Sequence, residues 1–197
     1  MDAAQAVRDI EATDDLLERG LKLAGLVTRI FAEAGSNLVV VGGSAVEFYT
    51  EGAYMSGDID FCRLELTRIP LRQAQDIMGA LGARGGPRSW LVAGLYVDLL
   101  GFLENESVSP CRRIETPFGV VSVLPPEMAL VERALLAFYP QPDAEAREVA
   151  CKLIAACESG ETPVDWDEVS RLAALPDFNV ANELTGLRQE VQRELER

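Results

Sequence analysis

The chain contains no histidine in its 197 residues. That absence excludes Ser-His-Asp triads, histidine general bases and histidine-ligated zinc. Lysine is almost missing too: Lys22 and Lys152 are the only two, so positive charge is carried by arginine. Basic residues number 18 against 32 acidic ones, a net charge of −14. Broad nonspecific nucleic-acid binding needs Lys and Arg to neutralise phosphates, so this balance argues against it while leaving room for a local basic pocket. The four cysteines, Cys62, Cys111, Cys151 and Cys157, form no Cys-x-x-Cys pair and stand in apolar or helical surroundings. They read as buried free thiols. No apolar run approaches the ~18 residues of a membrane span. The opening Met1-Asp2-Ala3-Ala4-Gln5 lacks the basic-then-apolar order of a secretion signal. The expectation is a cytoplasmic protein with no membrane partner, whose chemistry runs on carboxylates, arginine, hydroxyls and thiols.

What is present centres on one stretch. Leu38 to Val41 is an apolar, β-branched run that reads as a buried strand. Gly42 and Gly43 break it, and Ser44 stands where a helix N-cap belongs, with Ala45, Val46, Phe48 and Tyr49 following at helical spacing to about residue 51. A strand, a Gly-Gly-Ser turn and a helix together make an anion site, with free backbone N–H groups and the positive end of the helix dipole. Next comes Asp58-Ile59-Asp60-Phe61. Residues two apart on a strand share a face, so the two carboxylates point one way and the two large apolar side chains the other. Carboxylates so placed repel each other unless a cation lies between them.

Around this stretch the periodicity predicts helix over 3–34, with Gly20 and Gly25 marking a break into two shorter helices and Gly35 as the C-terminal cap. Pro70 opens a helix to Leu81 with Leu71, Ala74, Ile77, Met78 and Leu81 inward; Gly82, Gly85, Gly86 and Pro87 make a loop. Two strands, 89–93 and 95–102, flank Gly94. In the second, Asp98 is a lone acid in an apolar run, a residue that must meet a cation or an arginine such as Arg63, Arg88 or Arg112. Residues 112–116 and 120–124 form a hairpin about Pro117-Phe118-Gly119, Pro125-Pro126-Glu127 opens a helix to Phe138, and amphipathic helices over 143–159, 167–175 and 182–197 complete the chain. The expected fold class is α+β, a short mixed sheet flanked by helices. Residues 1–125 form its core and 126–197 a C-terminal helical segment.

The run VGGSAVEFYTEGAYMSGDIDF resembles the DNA polymerase beta-like nucleotidyltransferase superfamily, whose pattern is Gly-(Gly/Ser), a helix, then Asp-h-(Asp/Glu)-h. It is most similar to the small prokaryotic minimal and toxin–antitoxin members. The likeness is strong over residues 38–61 and extends more weakly to about residue 135. The resemblance implies a nucleotidyltransferase fold and metal ligation by Asp58 and Asp60, with Asp98 as the third acid. It also implies two Mg²⁺ or Mn²⁺ ions, and a nucleoside triphosphate held at its β- and γ-phosphates by Gly42, Gly43 and Ser44. The implied reaction transfers a nucleoside monophosphate to a hydroxyl of a protein, RNA or small molecule, in some members within a toxin–antitoxin or defence pair. The alternative implied class is an inactive nucleotidyltransferase-like module, an antitoxin that masks a partner protein. Arg84, Arg88, Arg133, Arg147 and Lys152 are further phosphate-binding candidates read against solvated surfaces, and Tyr49, Tyr54 and Trp90 are base-stacking candidates read against core positions.

Overall fold

Two aspartates set the N-terminal helices. In the computed structural model, which describes residues 2–64 and 69–197, Asp2 caps α1 (Ala3–Glu11) and Asp15 caps α2 (Leu16–Glu33), each carboxylate accepting from a first-turn amide. The break therefore falls at residues 12–15 and not at Gly20 or Gly25. A carboxylate that satisfies orphan amides starts a helix there, while a glycine inside a helix costs only about 1 kcal/mol. Gly35 (φ +85°) ends α2 as expected, its own amide donating to Ala32 O and that of Ser36 to Phe31 O.

The chain divides into two compact units. The first comprises Met1–Ala45, Met55–Glu104 and Cys111–Val123. It is built on a mixed seven-stranded sheet of β1 (Leu38–Val40), β2 (Asp58–Arg63), β3 (Arg84–Gly85), β4 (Ser89–Val92), β5 (Leu95–Phe102), β6 (Arg112–Thr116) and β7 (Gly119–Val123), in the order β3-β4-β5-β2-β1-β7-β6. β2 runs parallel to β5 and β1 parallel to β7; the other neighbours are antiparallel. The short β3 lies within what the sequence reads as a loop, because its two residues pair with Trp90 and Leu91. β4 and β5 are joined through Ala93 and Gly94, both at positive φ, the conformation a two-residue hairpin requires. The predicted second hairpin is β6–β7, turning at Pro117-Phe118.

One sheet face is core. Ile59, Phe61, Trp90, Val92, Val97, Leu99, Val121 and Val123 are buried, and α2 packs on β1, β6 and β7. α4 (Leu71–Ala80) buries Ala74 and Met78, while Leu71 is 48 % exposed, contrary to its predicted inward place. The first helical residue after Pro70 has no preceding turn to pack against. Gln75 ties α4 to the sheet, donating to Gly85 O and accepting from Trp90 Nε1. Of the four free thiols, Cys157 alone is buried; the others are half-buried. Cys62 escapes the core because it shares the strand face of Asp58 and Asp60.

The second unit comprises Val46–Tyr54, Asn105–Pro110 and Leu124–Arg197. Its helices are α5 (Pro126–Phe138), α6 (Ala144–Glu158), α7 (Trp166–Ala173) and α8 (Ala181–Leu195), with α5 against each of the other three. Two polar ties hold its inner segments: Tyr49 Oη donates to Leu124 O, and Thr162 Oγ1 donates to Tyr49 O. A third is Glu168 on α7, whose carboxylate accepts from the Val108 amide and from Arg171 Nε and Nη2, while Arg171 Nη2 also donates to Glu106 O. The Arg171 hydrogen bond, followed by that of Val108, holds the Glu168 carboxyl down at about 2. A depressed carboxyl stabilises the fold above its ordinary range, and the contribution fades as pH falls from about 5 toward 2. Glu168→Gln is therefore expected to lower urea stability at pH 7 by about 1–2 kcal/mol. The gap from wild type should narrow as pH falls below about 5 and close only below about pH 2; a gap independent of pH would contradict the charged clamp. No helix among the described residues is long and apolar enough to cross a membrane.

Candidate functional site

The first unit carries Gly42, Gly43 and Ser44 together with Asp58, Asp60 and Asp98. α3 (Gly42–Tyr49) begins at Gly42, three residues before Ala45, where an N-capping Ser44 would start it. Gly42 takes φ +64°, so the chain turns from strand to helix at the first glycine, and Ala45 N–H already donates to Val41 O. Ser44 therefore lies in the first helical turn. It is 1 % exposed, and its hydroxyl accepts from the backbone N–H of Asp60 at 2.9 Å. Val41 N–H donates to Asp60 O, so Asp60 is gripped on both backbone groups by the strand-to-helix turn. The amides of Gly42, Gly43 and Ser44 are first-turn donors that no helical carbonyl can satisfy.

Asp58 and Asp60 share one face of β2 while Ile59 and Phe61 are buried on the other. The parallel register sets Asp60 directly against Asp98 of β5 and Asp58 against Tyr96. Oxygens of the three carboxylates lie within 4.8 Å of one another. The sequence-predicted acids are thus brought together, from a paired motif and a residue almost forty positions downstream. Ser56, which sequence reasoning missed, donates from Oγ to Asp58 Oδ1 at 2.7 Å. Its place two residues before the first acid is a signal that was readable, since serine hydroxyls commonly orient nearby carboxylates.

The donor set fits a divalent cation. Asp98 Oδ1 is buried with no hydrogen-bond partner, and Asp98 forms no ion pair with Arg63, Arg88 or Arg112 among the described residues. An unpaired carboxylate oxygen withdrawn from water beside two more carboxylates is costly without a counter-charge. Gly42 completes the cradle: a Cβ there would stand 2.6 Å from Asp60 Oδ2. Three carboxylates without nitrogen or sulfur ligands suit hard ions such as Mg²⁺ or Mn²⁺.

The remaining candidates lie elsewhere or are spoken for. Trp90 is 1 % exposed and Tyr49 is buried, so both are core; Tyr54 is half-buried. Arg147 pairs with Glu190 and Lys152 with Glu148, as residues of solvated helix faces. Arg133 is half-buried on α5, and Arg84 and Arg88 are exposed on the first unit. Within the first unit neither Arg84 nor Arg88 forms an ion pair with Asp58, Asp60 or Asp98 among the described residues.

No protein-family model matches the chain, and no curated protein matches it in sequence. Solved structures do. The crystal structure of an antigenic nucleotidyltransferase-like protein from Paracoccidioides brasiliensis superposes with a TM-score of 0.57 at 13 % identity, over 92 % of this chain and 89 % of that one. The antibiotic-resistance factor ANT(2'')-Ia in solution gives 0.44 at 16 % identity, over 100 % and 95 %. Its crystal structure in complex with adenylyl-2''-tobramycin gives 0.45 at 14 %, over 86 % and 95 %. The mixed sheet, the glycine turn that opens α3 and the span of the first of these matches together establish that this chain has a nucleotidyltransferase-like fold.

Proposed function

We propose that the chain is a metal-dependent nucleotidyltransferase that moves a nucleoside monophosphate from a nucleoside triphosphate to an acceptor hydroxyl. The observation that carries this reading is the register of Asp60 with Asp98 beside the Gly42–Gly43 turn. Asp58, Asp60 and Asp98 would hold Mg²⁺ or Mn²⁺. Bound divalent ions supply charge neutralisation at the α-phosphate and the pyrophosphate, and acidify the attacking hydroxyl.

The chain's own residues divide the remaining work. First-turn amides of Gly42, Gly43 and Ser44 bind the β- and γ-phosphates, aided by the dipole of α3. Ser44 Oγ and the Val41 amide fix Asp60 from its backbone, so that its carboxylate does not move with the bond change. Ser56 orients Asp58. An oxygen of Asp98 takes the proton as the acceptor oxygen bonds to the α-phosphorus and the bond to the β-phosphate oxygen breaks, releasing pyrophosphate.

The test is calorimetric titration with Mg²⁺ complexes of the four nucleoside triphosphates. Wild type is expected to bind at least one, and Asp58→Asn/Asp60→Asn none. Failure of wild type to bind any with either Mg²⁺ or Mn²⁺ overturns the enzyme and leaves a module that works by masking a partner protein.

A further inference from the structure

Two of the three acids are held in place by a serine. Ser56 Oγ donates to Asp58 Oδ1, and Ser44 Oγ accepts from the amide of Asp60. Asp98 has no such hold: its Oδ1 is buried without a hydrogen-bond partner. The torsion between an aspartate's Cβ and its carboxyl carbon is broad, so a carboxylate with nothing bonded to it turns easily. On the nucleotidyltransferase reading above, this is the acid that must both hold the cation and take a proton. An acid with two duties needs its oxygens kept distinct.

The sheet sets one hydroxyl against it. Ser89 of β4 is the cross-strand partner of Asp98, as Asp98 is of Asp60, so the three form one row across β4, β5 and β2. Directly opposed residues share a face. Alternation along β4 agrees, since Trp90 and Val92 are buried while Ser89 is exposed. The type of pair fixes the separation. Leu99 N–H donates to Arg88 O, a bond that brackets a non-hydrogen-bonded pair, so Ser89 and Asp98 form the closer type, with Cα atoms about 4.5 Å apart. On its other side Ser89 meets Gly86, whose amide donates to Ser89 O and which has no side chain to compete. Neither the Ser89 hydroxyl nor Asp98 Oδ1 is taken by another group among the described residues. The bond between serine and carboxylate is not formed in the structure; with Cβ atoms about 5 Å apart, a rotation about χ1 of Ser89 brings the two groups within reach.

We propose that Ser89 is the positioning residue of Asp98: its hydroxyl donates to one carboxylate oxygen when the cluster holds a divalent cation, and so fixes the plane of the carboxylate. An ionised carboxylate has about four lone-pair sites, so one bond from Ser89 leaves room for the cation and for the acceptor's proton. Each of the three acids then has its serine: Ser56 for Asp58, Ser44 for Asp60 and Ser89 for Asp98. Ser89 acts through Asp98, and its exposure on the open face means that truncation leaves the core intact.

The experiment titrates Mn²⁺ into the full chain and reads the free ion by electron paramagnetic resonance, for wild type, Ser89→Ala, Ser89→Val and Ser89→Thr. Valine and threonine have the same shape and differ in the hydroxyl, so this pair separates the donor from packing. Loss of a group that orients a metal ligand costs about 10–100-fold in metal affinity. Ser89→Ala and Ser89→Val are therefore expected to bind Mn²⁺ at least about tenfold more weakly, and Ser89→Thr to bind like wild type. Urea midpoints in chelator check that all four proteins are folded. Equal Mn²⁺ affinity across the four overturns the role of Ser89. So does a Ser89→Thr variant as weak as Ser89→Val, which would mark shape and not the donor. Both of those outcomes leave the metal site standing, whereas a wild type that holds no Mn²⁺ overturns the reading beneath the proposal.

Discussion

Asp60→Asn is expected to lower the rate of the proposed nucleotidyl transfer by at least ~10³-fold, while leaving the protein folded. Asp60 stands at the centre of the cluster, in register with Asp98 and two residues from Asp58 on the same face. Its backbone bonds to Ser44 and Val41 do not involve the carboxylate, so the turn survives the change. The stability signature has two parts of opposite sign. Without metal, removing one of three mutually repelling carboxylates should leave the variant as stable as wild type or more so. With Mn²⁺ at about a hundredfold excess over its dissociation constant, wild type should gain about 2.7 kcal/mol by linkage, and the variant should gain nothing. Thermal melts of both proteins with Mn²⁺ and with chelator check this. A variant destabilised equally under both conditions would mark Asp60 as a structural residue.

Gly25→Ala is expected to destabilise the first unit by about 1–3 kcal/mol, the usual scale of overpacking, although alanine is the better helix former by about 1 kcal/mol. The sign is decided by what lies against α2. A Cβ at residue 25 would stand 2.1 Å from Thr116 Oγ1 and 3.0 Å from Gly119 O, inside the β6–β7 hairpin. Thr116 Oγ1 cannot withdraw cheaply, because it donates to Gly119 O and accepts from the Phe118 and Gly119 amides. A Cβ on Gly119 would in turn stand 2.3 Å from Gly25 O, so the two glycines let helix and hairpin backbones touch. Urea denaturation of Gly25→Ala, Thr116→Ala and the double variant measures the coupling. The penalty of Gly25→Ala should shrink when Thr116 Oγ1 is gone; a stabilised Gly25→Ala would mean that helix propensity outweighs the contact.

These two sites mark where the sequence was legible and where it was not. Asp58, Ile59, Asp60 and Phe61 could be assigned to faces because a strand's period of two leaves no freedom once one face is apolar. Asp98 stood out because an isolated acid in an apolar run needs a reason. Gly25 looked like a helix breaker, since the hairpin it touches lies some ninety residues away and no local pattern announces it. Ser44 looked like an N-cap because serine after two glycines commonly is one. Gly42 started the helix sooner, and the hydroxyl turned to the Asp60 amide, a bond from α3 to β2. Strand order was equally hidden: nothing local tells β1 to take β7 as its parallel neighbour. Tyr96 was read only as one side of an alternation. The register that sets it opposite Asp58 was not legible.

The central claim is that Asp58, Asp60 and Asp98 act together as one divalent-metal site. Electron paramagnetic resonance of free Mn²⁺, titrated with ATP and wild type, Asp60→Asn or Asp98→Asn, tests it most directly. Wild type should deplete the free-ion signal beyond the depletion caused by ATP alone, and each single variant should lose that excess. Equal depletion by all three proteins, or none by wild type, would contradict the account.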